Sequence, residues 1–180
     1  VQPFSPFGRR RQATLLKKQY KEGVMLNEIQ LFNHEQRDAL KESAKSSPRR
    51  RANHNVHKSY EDLVQRLFIA MEPDSYVRPH RHTQQHKWEF FMAVEGSIDL
   101  LFFDDNAVLT KRITLSAGGD CVGVEIPPNV WHATVCFEPV VFMEVKQGPY
   151  EVMDDKGFAS WAPEEGEVAV AAFLEKLKGA

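Results

Sequence analysis

The sequence predicts an all-β domain, a sandwich or jelly-roll barrel with one helix before it and a short helix after it. Two observations carry that reading. Turn signals recur at Pro73-Asp74, Glu95-Gly96, Asp104-Asp105-Asn106, Ala117-Gly118-Gly119-Asp120, Pro127-Pro128-Asn129 and Gly148-Pro149, at spacings that suit short antiparallel strands. Between them lie apolar, β-branched and aromatic runs, of which Val64-Gln65-Arg66-Leu67-Phe68-Ile69-Ala70-Met71 is the first clear strand.

The elements follow in chain order. Residues 1–26 carry Arg9, Arg10, Arg11, Lys17, Lys18 and Lys21 against only Glu22, and read as a disordered basic arm. Within 27–48 the apolar residues Ile29, Phe32 and Leu40 are spaced by polar ones, which predicts an amphipathic helix stopped by Pro48. The barrel is assigned to 49–150. Residues 151–180 lose the alternation and form an extension, in which 168–178 reads as a short helix. Residues 100–103 and 140–143 are apolar on both faces, so their outer sides need cover. A second sheet, the helix before Pro48 or a partner subunit would supply it, and a homodimer is the expectation.

Composition narrows the function classes. A chain of 180 residues with 42% apolar content can bury a core, and a net charge of −2 argues against a nucleic-acid coat or a membrane-surface protein. Cys121 and Cys136 sit in apolar runs and read as small buried hydrophobes. No run of eighteen apolar residues is present, and the expected protein is cytoplasmic, with no nucleic-acid or membrane partner.

Chemistry concentrates in His80-Arg81-His82, Glu89 and His132. Alternate strand residues share a face, so His80 and His82 point the same way, roughly 7 Å apart at Cα. Three imidazoles and a carboxylate suit one divalent transition-metal ion, Fe, Mn, Ni, Co, Cu or Zn, and the ligand types do not choose among them. On a six-coordinate ion such a set leaves positions open for water or a chelating ligand. His34, His54 and His57, taken singly, read as surface or hydrogen-bonded histidines.

Asp74-Ser75-Tyr76-Val77-Arg78-Pro79-His80-Arg81-His82, with Glu89 and Gly96, resembles the first cupin motif, and Pro127-Pro128-Asn129-Val130-Trp131-His132 resembles the second. Ser47-Pro48-Arg49-Arg50-Arg51, His54-Asn55, Lys87-Trp88-Glu89, Gly123-Val124-Glu125-Ile126 and Val145-Lys146-Gln147-Gly148-Pro149-Tyr150 are similar more narrowly to the WbuC-type cupin-fold metalloproteins. The resemblance implies a double-stranded β-helix barrel holding one metal through His80, His82, Glu89 and His132, in a family associated with bacterial polysaccharide biosynthesis. Asp74 and Asn129 stand at motif glycines, and both residue types accept turn geometry. Six residues rather than three or four separate His82 from Glu89, and they include His86. Cys136 replaces the second motif's terminal asparagine.

The reaction reads two ways. The metal would polarise a sugar or nucleotide-sugar for isomerisation or epimerisation, with Glu125 or His86 moving the proton, or it would serve a mononuclear oxygenase. Strand parity adds Phe91, Arg78 and Cys136 as ligand-facing candidates, and Arg51 adds a guanidinium fork for phosphate or carboxylate. The alternative is a metal-dependent binding or sensing protein without turnover. A metal-independent epimerase fits poorly, because it would bury an imidazole and a carboxylate with no use for them.

Overall fold

The computed structural model describes residues 29–151 and 157–180, and the basic arm 1–26 lies outside the described residues. Among the described residues ten strands follow one another: β1 (Arg51–Asn55), β2 (Val64–Met71), β3 (His80–Arg81), β4 (Glu89–Glu95), β5 (Ser97–Phe103), β6 (Leu109–Ser116), β7 (Gly123–Ile126), β8 (Trp131–Val135), β9 (Val140–Gln147) and β10 (Gly157–Phe158). They form two sheets, β1-β2-β9-β4-β7 and β10-β3-β8-β5-β6. Every pairing is antiparallel. Strands β2 to β9, four in each sheet, have the jelly-roll order, so the fold is the double-stranded β-helix that the sequence predicts. β1 and β10 each extend one edge. β10 lies in the stretch assigned to a strandless extension, and at two residues it is too short to show alternation.

Inside the sandwich, Met71, Ile98, Leu100, Leu115, Ile126, Cys136 and Val140 close one end as a dry core. The outer faces are covered by helices. α1 (His34–Ser46) sets Leu40 and Ala44 on Ala70 and Val141, and α2 (Val170–Gly179) sets Leu174 and Leu177 on Leu101, Phe103, Ala133 and Val135. Burying each such leucine contributes about 1.5–3 kcal/mol. The double-sided apolarity that suggested a homodimer is therefore met within the chain itself.

Local chemistry sets the helix limits. α1 starts at His34 because Asn33 caps it: Asn33 Oδ1 accepts from Glu35 N at 2.8 Å and Gln36 N at 3.3 Å, and Gln36 Oε1 accepts from Asn33 N at 3.2 Å. Ile29, predicted inside that helix, lies before it and is exposed. At the other end of the chain, Arg112 donates to the carbonyls of Leu177 and Lys178 at 3.2 and 3.0 Å and pairs with Asp99 at 3.0 Å, which anchors the last turn of α2 to the sheet. Gly148 follows β9 where a Cβ would stand 2.0 Å from the Asp62 carbonyl, so only glycine lets that loop close on the strand. No helix among the described residues is long and apolar enough to cross a membrane.

Candidate metal centre

Three strands and one turn bring the cluster together. His80 in β3 pairs directly with His132 in β8, His82 follows the end of β3, and Glu89 opens β4 in the facing sheet. Asn129 takes φ 65°, the left-handed geometry its motif position calls for, and its N–H donates to the His82 carbonyl at 2.7 Å. The Pro127-Pro128-Asn129 turn thereby ties the second motif to the first. One ligand atom from each of His80, His82, Glu89 and His132 lies within 4.8 Å of every other, and all four residues are buried.

Backbone carbonyls fix the imidazole orientations. His80 Nδ1 is 3.0 Å from the Arg78 carbonyl and His132 Nδ1 is 2.9 Å from the Val130 carbonyl. A carbonyl only accepts, so each Nδ1 carries the proton and each neutral ring keeps its lone pair at Nε2. His82 Nε2 is 3.0 Å from Glu89 Oε1, and His132 Nε2 is 3.1 Å from Glu89 Oε2. His132 Nε2 and Glu89 Oε2 are buried and complete no hydrogen bond. Two lone-pair atoms held 3.1 Å apart away from water repel unless a proton or a cation lies between them, so the residues fit a metal ion. Burial pushes the Glu89 carboxyl up, but with protons in place of an ion on the facing imidazole nitrogens the contacts with His132 and His82 outweigh it and hold it well below the usual carboxylate range.

The cluster opens onto a cavity of about 440 Å³ whose walls include His80, His132, Phe91, Thr134, Glu144 and Lys146. Phe91 lies edge-on to His132, with ring centroids 6.4 Å apart. Arg51 also lines the cavity and pairs with Glu165 at 2.5 Å.

Other candidates are placed elsewhere. Arg78 turns to the C-terminal segment, donating to the Ala159 carbonyl at 3.1 Å and pairing with Glu164 at 3.1 Å. Cys136 faces inward as parity predicts, but it sits down in the dry core, its thiol on the Met71 carbonyl at 3.7 Å. Burial pushes that thiol up to about 12, which leaves no thiolate at neutral pH. Glu125 is exposed on the outer face of β7 opposite Phe90, and His86 is exposed in the turn after Gln84, so neither reaches the cluster to move a proton. The buried pair Glu144 and Lys146 stands there instead: Lys146 Nζ is 3.1 Å from Glu144 Oε1 and 3.9 Å from Glu89 Oε1. Its signal in the sequence was two charges at i and i+2 in a strand whose other residues before Gln147 are apolar.

A family model described as a domain of unknown function (DUF6016) matches residues 32–115, which include His80, His82 and Glu89 but not His132. No curated protein matches. Among solved structures, a cupin-2 domain protein from Shewanella frigidimarina is 19% identical, over 69% of this chain and 100% of that one, with a TM-score of 0.49. A protein with a double-stranded β-helix domain from Klebsiella pneumoniae is 16% identical, over 73% of this chain and 98% of that one, with a TM-score of 0.49. An oxalate decarboxylase from Lactobacillus farciminis, in a formate complex, is 18% identical over 54% of this chain, with a TM-score of 0.42, and the match spans only 27% of the decarboxylase. The architecture rests on the strand order and register described above.

Proposed function

We propose that this protein is a metal-dependent cupin that binds one divalent transition-metal ion through His80, His82, Glu89 and His132 and isomerises or epimerises a small sugar-like metabolite. The observation that carries the reading is the buried Glu144–Lys146 pair, an acid and a base beside the cluster in the same cavity. When bound, the ion supplies Lewis acidity toward a ligand carbonyl or hydroxyl oxygen. The chain supplies the rest. Phe91 and Phe142 offer an apolar wall, Lys146 offers a polar contact further along the same strand as Phe142, and Thr134 offers one from the facing sheet. Lys146 and Glu144 are placed to give and take a proton at the ligand, which favours isomerisation over oxygenation. A cavity of 440 Å³ suits a monosaccharide, so a nucleotide-sugar would enter by its sugar end. The resemblance of its motifs to WbuC-type proteins supports a role for this activity in polysaccharide biosynthesis.

Deuterium wash-in tests it. Metal-loaded protein is incubated in D₂O with a panel of aldoses, ketoses and sugar acids, and carbon-bound deuterium is followed by NMR. Wash-in that depends on the metal and disappears in Lys146→Met, with metal content retained, is the expected result. Metal-dependent binding of a sugar with no wash-in would make the protein a binder, and protein purified without a tag and carrying no transition metal would overturn the reading altogether.

A further inference from the structure

His57 lines the same cavity and is 7% exposed, yet its Nε2 has no hydrogen-bond partner among the described residues. Its other ring nitrogen is fully engaged. The Arg66 N–H donates to Nδ1 at 3.0 Å, and a nitrogen that accepts there carries no proton of its own. The Arg66 carbonyl also lies 2.9 Å from Nδ1, but it already has the Val56 N–H at 2.8 Å, whereas a proton on Nδ1 would take from the Arg66 N–H its acceptor, and a buried N–H tolerates that less well than a carbonyl with one donor. In the neutral ring the proton is therefore on Nε2, as a buried donor at the cavity wall. Leaving a buried donor unmet carries a desolvation penalty, which a ligand oxygen removes on binding.

The register places this donor opposite the cluster. Gln65 pairs with Lys146, Lys146 pairs with Glu89, and His57 is held against Arg66, so His57 and Glu89 sit at one level three strand spacings apart, about 14 Å between backbones. Lys146 lies between them. Charge then sets the class of ligand. Arg49, Arg51 and Lys146 balance Glu144, Glu165 and Glu89 around the cavity, and a divalent ion makes the whole cationic.

We propose that His57 is a ligand-binding residue that donates Nε2–H to a hydroxyl oxygen of a polyhydroxylated carboxylic acid of monosaccharide size, whose acidic end lies toward Lys146 and the metal cluster. This rests on the metal-dependent reading above and names the ligand class of that site.

The test uses metal-loaded full-length protein and three probes: D-gluconate, which has hydroxyls and an acid; D-sorbitol, which has hydroxyls only; and hexanoate, which has an acid only. Calorimetric titration should show gluconate binding at least 10-fold tighter than either of the others, with metal content unchanged after dialysis. His57→Ala should keep its metal and weaken gluconate at least 10-fold, and His57→Gln, which retains a donor, should recover part of the loss. Long-range ¹H–¹⁵N spectra of the wild-type imidazoles require no variant: His57 should be the Nε2–H tautomer, and its Nε2 resonance should move on adding gluconate. An Nδ1–H tautomer, unaltered gluconate affinity in His57→Ala, or metal-loaded wild type that ignores gluconate would each overturn the assignment. Wild type without metal would sink the metal-dependent reading, while the tautomer would still report on His57.

Discussion

The inward side chains of β9 run from Val140 through Phe142 to Glu144 and Lys146, so one strand passes from the dry end of the barrel to its charged end. Burial does not separate the two ends: Leu100 in the core is 0% exposed and His132 in the cluster 1%. What differs is how each end tolerates being dry. Apolar burial stabilises the first directly. At the second, imidazoles, carboxylates and an ammonium have left water and are held by one another, an arrangement that roughly breaks even at best. The charged end is therefore a site carried by the stability of the other end, and substitutions should separate the two roles.

The largest effect belongs to the cluster. His132→Ala removes a ligand whose Nε2 lies 3.1 Å from Glu89, and metal affinity should fall by on the order of 100-fold or more, since losing an outer partner alone costs roughly 10–100-fold. Chelator competition followed by elemental analysis measures it. Leu100→Ala, at the dry end, should do the reverse. It should lower unfolding free energy by about 2–5 kcal/mol in a denaturant titration, with one metal ion still bound per folded chain. Equal damage to both properties from either substitution would mean that the two ends are not distinct.

Acid should sharpen the contrast. Glu89 is held below its ordinary value of 4.5 by His132 and His82 against the opposing effect of burial, so its contribution to stability is present above the unfolded value and is lost as pH falls through the folded one. Metal release strengthens the trend, because protons compete for the same lone pairs. Metal-free wild type should therefore lose stability on acidification below about pH 4.5 more steeply than Glu89→Gln does, as read from denaturant midpoints across pH. Parallel curves would show that Glu89 is not the group responsible.

Strand parity made much of this legible, and its limits explain the rest. Parity gives the face of a residue and not its depth along the strand. It set Phe91 and Cys136 on the inner side, but only the register shows Phe91 beside His132 and Cys136 in the core. The four-residue cluster was legible because His-x-His on a strand edge and a Pro-Pro-Asn turn are local patterns whose geometry follows from few residues. Glu125 could have been placed outside from its neighbour alone, since Ile126 is the residue that β7 turns inward. His57 could not have been found that way. The segment from Arg51 to His57 has no apolar alternation, and its inward row is set by pairing with β2 across a loop.

The smallest expected effect tests whether position in the barrel, rather than residue type, makes these groups matter. His86→Ala and Glu125→Gln remove the same kinds of side chain as the cluster contains, but from exposed sites. Surface substitutions away from caps and networks shift stability by within about 0.5 kcal/mol, and both variants should keep wild-type metal content in elemental analysis. A His86→Ala protein that loses its metal would mean that the turn 84–87 folds inward and that His86 displaces a neighbour at the ion, because an exposed imidazole outside the 4.8 Å cluster has no direct way to empty it.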